Sequence, residues 1–135
     1  MQVPGASFRA GGQIGVGLFV TPDTSNDFQV VQATANSIIY GVAQEGQRYA
    51  PGLTGSDNTI AAYTGDQVEV VGIGNVALVH AGGTVTRGDP LEANSSGQAI
   101  TSAISGQRWI GGFALESGAS GAFIRMWVMP MQVTH

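Results

Sequence analysis

The run "GGTVTRGDPLEANSSGQAITSA" (Gly82–Ala103) sets Arg87 and Asp89 on either side of one glycine. An Arg-Gly-Asp triplet is the chemistry of adhesion loops, and a lone Arg–Asp pair is a candidate for acid–base work. Neither reading survives its surroundings. Asp89 precedes Pro90, which fixes its own φ and pushes Asp89 toward extended geometry, so Gly88-Asp89-Pro90 has the make-up of a tight turn. Asn94-Ser95-Ser96-Gly97 then has the composition of a hairpin loop.

Other reactive residues are scattered. His80 stands alone between apolar neighbours, and His135 is the final residue. A metal site needs clustered imidazole and carboxylate ligands, which the nine acidic residues do not provide. Glu45 and Glu116 close similar blocks, "IYGVAQE" and "IGGFALE". They read as strand-end residues, not as a general acid/base pair. The glycine run "AGGQIGVG" precedes no helix, so it lacks the N-terminus that makes a phosphate cradle work. Lipoyl- or biotinyl-type attachment needs a lysine, and there is none. No nucleophile, base and orienting group can be assembled. The expectation is a protein without catalytic residues, cofactor or metal.

The elements that would carry any site have the periodicity of strands. "FQVVQA" (Phe28–Ala33), "QVEVVGI" (Gln67–Ile73), "NVALVHA" (Asn75–Ala81) and "AFIRMWVMP" (Ala122–Pro130) are β-branched or aromatic runs bounded by turn residues. In the last, Phe123, Arg125 and Trp127 share one face, and Ile124, Met126 and Val128 the other. Apolar residues on both faces predict a strand covered on both sides, with Trp109 and Trp127 in the core. The best helical stretch, "ATANSIIYGVAQ", is broken by Gly41 and reads equally as strand.

The chain also resembles itself. "GGQIGVGLFV" (Gly11–Val20) matches "GGTVTRGDPL" (Gly82–Leu91), and "IYGVAQE" matches "IGGFALE", both at an offset of 71 residues. "QVVQ" (Gln29–Gln32) matches "QAIT" (Gln98–Thr101), and "VEVVGI" (Val68–Ile73) matches "FIRMWV" (Phe123–Val128) at an offset of 55. The expected fold is therefore an all-β single domain, a small sandwich or barrel of two pseudo-repeats. Residues 1–10 are expected as an extended arm and 11–73 as the first pseudo-repeat, with an inserted loop at about 46–65. A linking strand and the second pseudo-repeat follow at 74–130, and 131–135 form a tail. The first half repeats the glycines of the opening run but not its charges.

Composition bounds the partners. Charged residues are 10% of the chain, against about 25% in typical soluble domains. All five basic residues are arginine and the net charge is −4. Nucleic-acid binding requires clustered Lys and Arg, so it is disfavoured. No segment approaches the roughly 20 apolar residues of a membrane span, and the first residues lack a signal-peptide run. The expectation is a chain that neither enters a membrane nor leaves by a cleaved signal. A surface this poor in charge predicts coverage by protein partners. Candidate contacts are Phe8 and Arg9 in the N-terminal arm, Arg48, Tyr49 and Tyr63 in the inserted loop, and Arg87 and Asp89 in the turn. Aromatic residues and arginine are enriched at interface centres.

"GGTVTRGDPLEANSSGQAI" followed by "QRWIGGFALESGASGAFIRMWVMP" resembles the phage capsid cement, or decoration, proteins. The shared pattern is a Gly-Gly-x-Val-x-x-Gly turn, an "IG-x-ALE" block and a closing "IRV-x-V-x-P"-like strand. "QVVQATANSIIYGVAQEG" and "GDQVEVVGIGNVALVHAGG" extend the resemblance over nearly the whole chain. The resemblance implies a virion protein made in the host cytoplasm and bound to the outer surface of an icosahedral head. It also implies a homotrimer whose partner is the major capsid protein, and it carries over no catalytic residue. The Gly46–Gly65 insertion and the absence of Lys depart from the pattern. A tail, fibre or host-surface recognition module is the alternative.

Overall fold

A computed structural model describes residues 5–44, 60–62, 64–103 and 105–134. Arg48, Tyr49, Tyr63, Glu45 and His135 lie outside the described residues, as does most of the expected inserted loop. The described residues hold twelve strands and no helix. The high β-propensity of the apolar runs and the glycines between them account for this all-β architecture.

The first half contributes β1 (Gly5–Ala10), β2 (Ile14–Gly15), β3 (Phe19–Pro22), β4 (Gln29–Gln32), β5 (Gly41–Ala43), β6 (Ile60–Ala62) and β7 (Gln67–Val71). Five of these close a barrel in the order β1-β4-β3-β5-β7, and β2 pairs with β6. The second half contributes β8 (Val76–His80), β9 (Pro90–Ala93), β10 (Ala99–Thr101), β11 (Gln107–Ala114) and β12 (Phe123–Thr134). They form a five-stranded sheet, β10-β9-β11-β12-β8, and a parallel bridge from Ala81 to Ala99 joins its two edges.

Strand order and register match between the halves. In the first hairpin Val20 pairs with Gln32, and in the second Leu91 pairs with Thr101. Val20 faces Gly41 across β3–β5, and Leu91 faces Gly112 across β9–β11. Phe8 faces Val68 across β1–β7, and Val79 faces Ile124 across β8–β12. The parallel pair Ala10–Val30 corresponds to Ala81–Ala99. Interior positions follow suit. Ala10, Ile14, Val20, Val30, Ala43, Val68 and Val70 fill the barrel, and Ala81, Val85, Leu91, Ala99, Ala114, Ile124 and Met126 occupy the matching places.

Three sequence expectations change. Residues 5–10, expected as an arm, form β1, hydrogen-bonded to β7 on one side and β4 on the other. Residues 131–134, expected as a tail, extend β12 and pair with Gln107–Ile110. Their alternation is too polar to read as core strand, but paired main chain compensates. Ile60–Ala62, inside the expected loop, pairs with β2. Matching register also sets Val68 against Ile124, one residue from the alignment by sequence. A one-residue slip reverses the faces of a strand, and burial selects the register in which both residues are inside.

The halves are joined by a shared core. Phe19, Ile39, Val42 and Val71 of the first half belong to the same buried cluster as Val79, Leu91, Met126 and Val128 of the second. The Phe19 ring lies where a side chain on Gly111 would have to go, so that glycine permits the close approach. Around it, the Phe19 N–H donates to the Gly97 carbonyl (2.9 Å), Gln32 Nε2 to the Ser96 carbonyl (2.8 Å) and the His80 N–H to the Gly17 carbonyl (2.9 Å).

Candidate functional site

Among the described residues, those singled out by sequence (Phe8, Arg9, Arg87 and Asp89) do not form one cluster. Phe8 is half-buried at the barrel wall and packs against the interior cluster, with its ring 6.0 Å from that of Tyr40. Arg9 is exposed on β1 and borders a groove of about 530 Å³ with Asn26, Asp27 and Phe28. Asp89 is structural: its Oδ2 accepts from the Thr86 N–H and the Thr101 hydroxyl, both at 3.0 Å, and pins the turn to β10. The Arg87 main-chain N–H donates to Ser117 Oγ at 3.0 Å, while its side chain is exposed. The triplet is thus a turn with one free arginine head, distinct from any acid–base pair.

His80 sits in β8 and stacks on Phe123, with ring centroids 5.1 Å apart. Glu116 binds Arg125 twice, accepting from its main-chain N–H (2.8 Å) and its Nε (3.0 Å). These hydrogen bonds, the side-chain one foremost, hold the Glu116 carboxyl below the usual carboxylate range. Asp23 is lowered likewise, first by the Ser25 N–H and then by the Gln29 amide.

What sequence reasoning missed is a face. On the outer side of the second sheet, cross-strand registers build three rows. Val76, Trp127 and Phe113 form the first. Leu78 and Arg125 form the second, joined by Leu115, whose N–H donates to the Arg125 carbonyl at 2.9 Å. His80 and Phe123 form the third. Val76, Leu78, Leu115, Phe123 and Trp127 are each 47–55% exposed. Trp127, expected in the core, therefore lies outside it, and β12 is covered on one side only. The alternation in "FIRMWV" carried the signal: its second face is apolar, and among the described residues none covers it fully. A contiguous apolar patch of this kind marks an interaction site. Its charges, Arg125 and Glu116, neutralise each other, which lowers the cost of covering them.

The sequence profile of the structural cement proteins (E217 gp24/Pam3 gp6) matches residues 1–126. The chain belongs to that family. It is a phage structural protein, associated with the virion. Among solved structures, the N base of the head fiber protein gp8.5 of bacteriophage phi29 is similar, with a TM-score of 0.63 and 18% identity. That similarity covers 97% of this chain and 98% of the other, and it shows a shared fold. No curated protein matches the sequence.

Proposed function

We propose that this cement-family chain binds the outer surface of the assembled icosahedral head and bridges neighbouring major capsid subunits. In this reading it acts as a homotrimer, without catalysis, and stabilises the shell against the pressure of packaged DNA. The observation that carries the proposal is the outer face of the second sheet, where half-exposed Leu78, Leu115 and Phe123 surround a self-neutralised Arg125–Glu116 pair. Such a face loses little on desolvation and gains apolar area on contact, about 25 cal/mol per Å² covered. Several modest contacts on one shell then add through effective concentration.

Co-sedimentation of the purified chain with empty shells tests this. Wild-type chain is expected to pellet with the shells, and Leu78→Ser combined with Leu115→Ser to lower occupancy at least tenfold, on the scale of lost hot-spot contacts. Undiminished binding of the double variant would remove the face from the proposal. Binding to tails or fibres and not to shells would favour the recognition-module alternative.

A further inference from the structure

Two features among the described residues are left exposed, and each has a buried counterpart inside the same chain. The first is the hairpin between β3 and β4. It matches the hairpin between β9 and β10 in detail. The Asp23 N–H donates to the Gln29 carbonyl and the Asn94 N–H to the Gln98 carbonyl, both at 2.9 Å. Asp23 Oδ1 accepts from the Ser25 N–H (2.8 Å), and Asn94 Oδ1 from the Ser96 N–H (2.9 Å). The residue just before the returning glutamine is left-handed in both, Phe28 at φ 55° and Gly97 at φ 77°. Gly97 is buried against the first half, where its carbonyl accepts from the Phe19 N–H. Phe28 is 81% exposed. A bulky residue in the left-handed region is strained, so a large aromatic is held in solvent at a position where glycine would be unstrained.

The second feature is the row Pro90, Phe113, Trp127. By register it matches the row Phe19, Val42, Val71, since Phe19 faces Val42 and Pro90 faces Phe113, while Val42 faces Val71 and Phe113 faces Trp127. The first-half row is buried, and the Gly97 hairpin docks at its Phe19 end. The second-half row is half-exposed at Phe113 and Trp127.

We infer that a second copy of this chain fills the vacancy: the Phe28 hairpin of one copy packs on the Pro90–Phe113–Trp127 row of the next, in the manner of the Gly97 hairpin on Phe19. The two chemical differences compensate. Pro90 has no N–H to replace the Phe19 donor, and Phe28 offers a ring in place of a hydrogen-bonded glycine. A polar contact within the chain thus becomes an apolar contact between chains. The interface is heterologous, one copy's hairpin on another copy's face, and such contacts close into rings when the rotation allows. This inference rests on the self-association part of the functional reading, and not on attachment to the shell, which uses Leu78 and Leu115.

Sedimentation equilibrium on the free chain tests it with two single variants and their mixture. Wild-type chain is expected to associate, and Phe28→Ser and Trp127→Ser each to weaken association by about 30-fold or more, the scale of an aromatic hot spot. Mixed in equal amounts, the variants should form a one-to-one pair and nothing larger, because one intact hairpin then meets one intact face. The exposed Ile38→Ser change, outside both features, should leave association unchanged. Because Phe28 is on the surface, its variant remains folded, as circular dichroism can verify. Wild-type chain that stays monomeric, a Phe28→Ser variant that associates like wild type, or a mixture that stays monomeric would each overturn the inference. Attachment to the shell is read apart from this, by pelleting of the chain carrying Leu78→Ser and Leu115→Ser, so failure of self-association and failure of shell binding are distinguishable.

Discussion

Arg108 Nε lies 2.8 Å from Glu92 Oε2, and the Glu92 side chain is 0% exposed while that of Arg108 is 14% exposed. The glutamate sits on β9, facing Ile100 and Ile110 across the sheet, on the side opposite Leu91. Its other carboxylate oxygen, Oε1, is buried without a hydrogen-bond partner. A half-satisfied buried carboxylate depends heavily on its one cation, because desolvation is repaid only through that contact.

Arg108→Met should therefore destabilise the fold by about 3 kcal/mol or more, since it leaves a buried charge alone. Replacing both residues together, Glu92→Leu with Arg108→Met, should recover most of that loss. Urea unfolding of the three proteins at neutral pH reads the result. A single Arg108 variant as stable as wild type would mean that the pair is not energetically coupled.

Phe28→Asn should stabilise the isolated chain by about 1 kcal/mol, because asparagine tolerates the left-handed region and the lost ring is largely in solvent. Thermal melts at concentrations low enough to suppress association would show the rise. A fall of similar size would mean that the ring packs on its own chain.

The strands and the turn at Gly88-Asp89-Pro90 were legible in the sequence because period-two alternation and turn residues are local signals. The roles of β1 and of residues 131–134 were not, since both strands are polar or small-residue runs stabilised by distant main-chain partners. Trp127 was misplaced for a related reason: alternation shows that two faces are apolar but not which one the chain covers. Phe28 carried no local signal, because its left-handed geometry is visible only beside its counterpart Gly97. The Arg108–Glu92 pair joins residues 16 apart across two strands, beyond any spacing rule.

Acid should weaken the fold through Glu116 and Asp23. Both carboxyls are held below their ordinary range in the folded chain, so their contribution is present above the unfolded value and is lost as pH falls through the lowered one, below about pH 4. The effect is modest, since both groups face solvent. Urea midpoints at neutral pH and at about pH 3 should fall further for wild type than for Glu116→Gln. Parallel declines would show that the Arg125 contact contributes nothing.

Electron cryomicroscopy of intact phage particles is the most direct test of the central claim. The account predicts density for this fold on the outer surface of the head, bridging neighbouring capsid subunits, with Leu78, Leu115 and Phe123 turned toward the shell. Density for the chain confined to the tail, or to the inside of the head, would contradict it.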